Sequence, residues 1–380
     1  MSKVAVKSDL ISWARERSGL TVNALVKRFP KFREWERGEA LTLRQLEALA
    51  KTTSTPLGYF FLPEPPEERL PIPDFRTRPG AQARRPSPNL LETIQTMQQR
   101  QGWMRDFLIE QGQEPLAFVG SVTLRDDPDQ VASKIRAVLS LPTDWARREP
   151  TWTEALRVLR EEAEDTGIFV VINGVVGNST RRKLDVNEFQ GFVLTDEYAP
   201  LIFINGADAR AAQMFTLAHE LAHLWIGRGG IFAFEEMQPA DNEVELFCNR
   251  AAAEFLVPAA ELRASWAEAQ RADEPFQFLA RHFKVSPIVA ARRSLDLSLL
   301  TRREFFEFYR EYQKDERRQR RKSTGGDFYA TQGARVGDRF ANAVFRAVKE
   351  GRLLYRDAYR LTGLHGKTFD RFAELLGFRL

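Results

Sequence analysis

The chain has 380 residues, with 56 Lys and Arg against 52 Asp and Glu, a formal net charge of +4, four histidines and one cysteine. That length predicts two or three domains, each able to bury a core of its own. A lone cysteine excludes an intramolecular disulfide, the start Met1-Ser2-Lys3-Val4-Ala5-Val6-Lys7 lacks an apolar signal core, and no stretch reaches the roughly 18 apolar residues of a membrane span, so a cytoplasmic protein with no membrane partner is expected.

At the amino terminus, Ser8 to Arg17, Thr21 to Phe29 and Thr42 to Thr52 read as short helices, with breaks at Gly19 and Gly38 and with Thr21 and Thr42 as N-caps. The apolar run Pro56 to Leu62 closes this segment. Trp35-Glu36-Arg37-Gly38-Glu39 and Thr42 to Lys51 resemble the end of an XRE-type helix-turn-helix domain, which implies a unit over residues 1–62 that binds DNA. Only Pro30-Lys31-Phe32-Arg33-Glu34 separates Phe29 from Trp35, too little for the usual turn and a full recognition helix. A helical docking domain that kept the fold and lost the groove contact is the alternative.

Residues 63–88 form a linker. Pro63, Pro65, Pro66, Pro71, Pro73, Pro79, Pro86 and Pro88, with Arg76, Arg78, Arg84 and Arg85, describe an extended basic strap that could track DNA phosphates or cross another surface of the protein. Three helices follow, over Asn89 to Gln111, Val131 to Leu139 and Thr153 to Asp165. Residues 168–172 and 200–205 are short, apolar, rich in β-branched and aromatic side chains and bounded by turn residues, as strands are. The second, Leu201, Ile202, Phe203, Ile204 and Asn205, is expected to be a sheet edge on which an extended substrate could pair.

Phe215 to Trp225 contains His219-Glu220-Leu221-Ala222-His223, an H-E-x-x-H motif inside a helical run. On a helix that spacing places both imidazoles on one face, a turn apart, where they can share a tetrahedral Zn²⁺. Glu220 then projects beside the metal as the general base for a water that the metal activates. Two of the chain's four histidines are these, and the apolar positions around them run nearly all the way round the helix, as in a helix buried under a sheet.

A catalytic zinc needs a third protein ligand. Asp241 to Pro258 reads as an Ala-rich helix stopped by Pro258, with Glu245 and Asn249 at i and i+4 and small residues, Cys248 and Ala252, on the same face. Glu245 is thus the candidate third ligand, and Asn249 a candidate hydrogen-bond partner for a ligand imidazole. Glu243 is the runner-up and Glu254 follows it, while Cys248 reads as a small buried residue. His282 and Tyr198 are the only candidates for an oxyanion donor, and neither is assigned.

Residues 167–258 resemble the ImmA/IrrE family of bacterial metallopeptidases. The matching pieces are Gly167 to Val171, Gly191-Phe192, Pro200 to Asn205, Phe215 to Leu224, and the run in which Glu245, Cys248, Asn249, Ala252, Ala253, Leu256 and Pro258 fall on the family's second helix. Cys248 and Ala251 stand where the family more often has Ala and Phe. The resemblance implies a minimal thermolysin-like zincin core, Glu245 as the third zinc ligand, and cleavage of DNA-binding repressors in stress or mobile-element regulation.

Beyond Pro258, helices are expected over Glu261 to Gln270, Gln277 to Phe283 and Ser286 to Leu297, the last with Ser286 as N-cap and Pro287 at the first helical position. Residues 311–326 read as a charged hinge ending at Thr324-Gly325-Gly326. A tail domain over 327–380 carries helices at Val336 to Glu350, Tyr355 to Thr362 and Lys367 to Leu376, and His365 sits in a turn. The expected fold is α+β, a mostly helical multidomain chain with a small sheet packed on the H-E-x-x-H helix over residues 89–310. The expected function is a zinc metallo-endopeptidase acting on a specific protein, a repressor or antitoxin. The rival is a DNA-binding regulator or antitoxin component whose zinc domain serves docking.

Overall fold

A computed structural model of the chain describes residues 3–68, 70–73, 85–232, 242–314 and 328–379. Contacts divide the chain into one unit of residues 1–71 with 80–95, and another of residues 72–79 with 96–380. Much of the Pro/Arg-rich linker and the charged hinge from residue 315 onward lie outside the described residues, while the first four hinge residues, 311–314, are the end of a helix.

In the first unit, β1 (Lys3–Val4) pairs antiparallel with β2 (Leu41–Thr42) beside four helices: α1 (Ser8–Arg17), α2 (Val22–Arg28), α3 (Phe32–Trp35) and α4 (Leu43–Thr52). The expected caps are made. Thr21 accepts from the Ala24 amide, and Thr42 and Gln45 form a reciprocal capping box at the start of α4. Leu10, Ile11, Leu25, Phe32, Trp35, Leu46, Leu49 and Phe60 make the core. In the place of a recognition helix stands α3, a single turn whose Phe32 and Trp35 are both buried. One turn with its aromatic residues turned inward offers no helix that can lie in a major groove.

The second unit is mostly helical. It takes α5 (Pro88–Glu110) from Thr96 onward, α6 (Pro128–Val138), α7 (Trp145–Arg148) and α8 (Trp152–Asp165), then β3 (Phe169–Asn173), β4 (Gly191–Leu194) and β5 (Leu201–Asn205). Next come α9 (Arg210–Ile226), β6 (Gly230–Phe232), α10 (Glu243–Leu256), α11 (Ala259–Ala269), α12 (Pro275–Phe283), α13 (Pro287–Asp296) and α14 (Arg302–Lys314). The last four helices are α15 (Phe328–Val336), α16 (Asp338–Lys349), α17 (Tyr355–Thr362) and α18 (Lys367–Leu375). The architecture is α+β. No helix among the described residues is long and apolar enough to cross a membrane.

The four-stranded sheet has the order β3-β5-β4-β6, with β3 parallel to β5 and the other pairs antiparallel. This corrects one expectation. Leu201, Ile202, Phe203, Ile204 and Asn205 form an interior strand, paired along its length with β3 on one side and, from Leu201 to Ile204, with β4 on the other. Its backbone donors and acceptors are used by the ladder and every side chain is buried, so it cannot take a further strand. The edge on the β4 side is β6, a three-residue strand with no strong sequence signature.

Helix α9 packs on β4 and β5, and α10 packs on α9 and α6. Ala251, Ala252 and Cys248 on α10 and Ala218 and Ala222 on α9 are all buried in one cluster, and their small side chains let helices carrying polar site residues approach closely. Arg136 of α6 donates to the Glu254 and Phe255 carbonyls at 2.8 and 3.2 Å, satisfying the carboxyl end of α10. Glu254 itself is ion-paired with Arg293 and accepts from the Ala259 amide at 3.1 Å. That carboxylate is therefore part of a structural network.

The tail helices belong to this same unit. Arg100 of α5 donates to the Leu361 and Arg335 carbonyls at 2.8 and 3.0 Å, at the carboxyl ends of α17 and α15, and burial lowers its pKa to about 10. Phe340 stacks on Phe169 of β3 at 4.8 Å between ring centres, and Gly337, with φ of 84°, leaves room for that ring. A Cβ there would lie 2.4 Å from Phe169.

Candidate metal centre

Thirteen consecutive residues of α9, Gln213 to Trp225, are buried, which places His219, Glu220 and His223 in the interior. The helix ends at Gly227, whose φ of 72° gives a left-handed cap that a side chain would strain. Its last carbonyls are also capped by the preceding loop: Gly120 and Val122 donate to Leu224 and Trp225 at 2.9 and 3.0 Å. Through the Gly227 turn the chain brings the Arg228 carbonyl to 3.1 Å from His223 Nδ1. A carbonyl only accepts, so Nδ1 carries the proton and Nε2 presents a lone pair.

Glu245 reaches this pair from α10. Its Oε2 lies 3.1 Å from His219 Nε2, its Oε1 lies 3.1 Å from His223 Nε2, and the two Nε2 atoms are 3.0 Å apart. Among the described residues this is the one group of three His, Cys, Asp or Glu side chains that converge as metal ligands. Nitrogen and oxygen ligands about 2.0–2.2 Å from a tetrahedral ion stand roughly 3.3 Å from one another, so the observed triangle fits such an ion with small adjustment. Burial pushes His219 towards its neutral form, and Asn249 of α10 lies beside the same imidazole. Burial opposes the charge on Glu245, yet the two imidazoles hold its carboxyl below the usual range.

Glu220 is fully buried, and neither carboxylate oxygen has a hydrogen-bond partner. Burial first, and the neighbouring Glu245 second, push its pKa well above the usual carboxylate range. A buried acid with both oxygens unsatisfied is costly in a fold that has no use for it. A cation at the His219–His223–Glu245 triangle would offset both the desolvation and the repulsion from Glu245, so the donor set and the orphaned carboxylate point to the same occupant.

Gly191 on β4 makes room for that carboxylate, a role with no signature in composition or periodicity. A Cβ at this position would stand 2.6 Å from Thr216 Cγ2, 2.9 Å from the Phe203 carbonyl oxygen and 3.2 Å from Glu220 Oε1. We expect Gly191→Ala to cost about 1–3 kcal/mol in chemical denaturation, because helix and sheet must move apart. Gly102→Ala, with nothing within 4 Å of the new methyl, should be neutral or stabilising in the same assay. Equal effects from the two changes would exclude a close packing role for Gly191.

The other candidates fall elsewhere. Glu243 is exposed at the first turn of α10, Glu254 serves the Arg293 network, and Cys248 is a free, buried thiol beside Glu245 and Glu220. His282 packs beside Phe278 and Phe283 on α12 with Arg147 and Glu261 among its charged neighbours. Tyr198 lies in the turn held by Asp196, and His365 lies against Tyr359.

Residues 163–295 match the family model of the IrrE N-terminal-like domain, Peptidase_M78. Residues 336–375 match a domain of unknown function, DUF8813. A search of curated proteins gave no match. The first matched segment runs from the end of α8 to α13 and includes the whole sheet and every residue of the cluster. Residues 163–295 of this chain thus match a Peptidase_M78 domain of the IrrE N-terminal-like kind, and His219, His223 and Glu245 gather inside the matched segment.

Proposed function

We propose that this protein is a cytosolic zinc metallo-endopeptidase that cuts a specific protein, of the class of DNA-binding repressors or antitoxins. The observation that carries the reading is the convergence of His219, His223 and Glu245 at 3.0–3.1 Å with the unsatisfied Glu220 carboxylate buried beside them, inside a peptidase-family domain. Two imidazoles and one carboxylate are the donor set of thermolysin-type zinc peptidases, in which the ion polarises the scissile carbonyl and activates water when bound. The chain's own groups do the rest. Glu220 takes the proton from the attacking water and hands it to the leaving amine, its burial keeping bulk water from competing for that proton. Asn249 and the Arg228 carbonyl orient the two imidazoles. The substrate class rests on the resemblance to ImmA/IrrE peptidases, whose characterised members cut repressors in stress and mobile-element regulation. Toxin–antitoxin control is the parallel role for an antitoxin substrate. In this reading the amino-terminal unit docks a protein partner, since α3 offers a single turn with its aromatic residues buried. A cytosolic site of action agrees with a chain that holds one cysteine.

Elemental analysis of purified protein tests the metal. About one zinc per chain is expected in the wild type and in Glu243→Ala, and almost none in Glu245→Ala. Wild-type protein that stays metal-free when zinc is supplied would overturn the proposal.

A further inference from the structure

We propose that the seam between α5, α8 and α16 is a second binding site, which takes a small organic carboxylate with an apolar body. The parts of these helices that meet there belong to one unit and leave between them a cleft of about 580 Å³. Each helix lines it with one face, through residues three and four apart: Met104, Phe107 and Leu108 on α5, Glu161, Glu164 and Asp165 on α8, and Arg339, Asn342, Ala343 and Arg346 on α16. No residue of the His219–His223–Glu245 cluster lines this cleft.

Seams between packed helices are normally closed by apolar side chains, and this one has them chiefly on the α5 side, where Met104, Phe107 and Leu108 are buried. The other two walls are polar and incompletely satisfied. Glu164 Oε1 and Arg339 Nε are buried without a hydrogen-bond partner, as is Nη1 of Arg160, one turn before Glu164 on α8. Unpartnered buried polar atoms destabilise a fold, and a ligand that satisfies them binds the more tightly for it. The charges decide its sign. Asp338 is paired with Arg160 at 2.9 Å, and Glu161 with Arg157. Burial favours the protonated, uncharged form of Glu164. Arg339 and Arg346 then have Asp165 as the one remaining carboxylate among the lining residues, so the cleft holds an excess cation and its unmet groups are donors. A carboxylate accepts several hydrogen bonds and pairs well with guanidinium groups, while its apolar body can lie against the α5 wall. Because the cleft joins α5 and α8 to α16 of the tail, its occupant also stabilises the docking of the tail by linkage.

The test uses the full-length protein, with and without added zinc, and three probes that share one apolar body: phenylbutyrate, phenylbutanol and phenylbutylamine. Affinity is read by titration calorimetry, and the place of binding by amide exchange over Asp338–Lys349. We expect the acid to bind with a Kd of about 1 mM or below, with or without zinc, and to slow exchange at the start of α16. The alcohol and the amine should bind at least about tenfold more weakly, since neither can accept a charge-assisted hydrogen bond from the guanidinium groups. Arg346→Gln, at an exposed position that leaves the fold intact, should weaken the acid by about tenfold. Ala343→Leu, which fills the cleft, should abolish binding; if that variant fails to fold, Arg346→Gln still decides. The proposal is overturned if the amine or the alcohol binds as tightly as the acid, if Arg346→Gln leaves the affinity unchanged, or if the acid does not bind at all. Binding that appears only with zinc would put the carboxylate on the metal centre and equally overturn it.

Discussion

Replacing Glu220 with Gln is expected to leave the metal bound and to lower kcat for cleavage of a protein substrate by about 10²–10⁴-fold, the usual contribution of a positioned general base. Gln keeps the size and shape of the side chain that fits beneath Gly191 and loses the ability to take a proton. It also removes the carboxyl that burial and Glu245 push well above its usual range, so the metal-free variant should be at least as stable as the wild type. The combination is diagnostic: full zinc content, unimpaired folding and lost turnover. Cleavage at the wild-type rate by zinc-loaded Glu220→Gln would refute the assignment of the base, whatever the metal content. His219→Ala, in contrast, should lose metal and turnover together, since it removes a ligand.

The second large effect concerns stability and pH. Glu164 of α8 is 6% exposed and faces the start of α16, where Asp338 and Arg339 offer backbone N–H groups. Burial raises its pKa to about 8; Arg160 opposes the shift, Asp338 adds to it, and the two N–H groups oppose it. Arg160 is itself committed to Asp338 at 2.9 Å, and Glu164 Oε1 has no hydrogen-bond partner. The folded state thus binds this proton more tightly than the unfolded chain, whose glutamate titrates near 4.5. The support that the protonated group lends to the fold is complete below pH 4.5. It is withdrawn as the pH rises towards 8, by an amount on the order of 5 kcal/mol at about 1.4 kcal/mol per unit. Glu164→Gln should therefore gain on the wild type between pH 5 and pH 8 in urea unfolding, and flatten that part of the stability profile. A difference between the two proteins that is the same at both pH values would refute a raised Glu164 pKa. Because α16 lies in the tail, this carboxyl also links the tail's docking to pH.

Much of the candidate site was legible from local pattern. The four-residue spacing of His219 and His223 has one meaning on a helix, and the placement of Glu245, Cys248, Asn249 and Ala252 along one face of α10 followed from the 3.6-residue period. Caps at Thr21, Thr42 and Ser286 were legible for the same reason, since each satisfies amides two or three residues away. The short strand-like runs and the family resemblance pointed to an α+β chain with a small sheet on the helix of His219 and His223, and the fold has that form.

What the sequence by itself determined was thus confined to relations within a turn or two of helix, where geometry is dictated by the backbone. Tertiary structure decided the rest. Whether Leu201 to Asn205 is edge or interior depends on which strands flank it, and β6, only three residues long, arrives from beyond α9 to complete the far side. Gly191 matters because a helix of another segment passes within 2.6 Å of its missing Cβ. Arg100 is buried among carbonyls some 235 to 262 residues away along the chain. The Pro73 carbonyl finds Ile231 only once the chain has folded back on its own sheet. Contacts of this kind are set by packing between distant segments, which leaves no periodicity in the sequence to read.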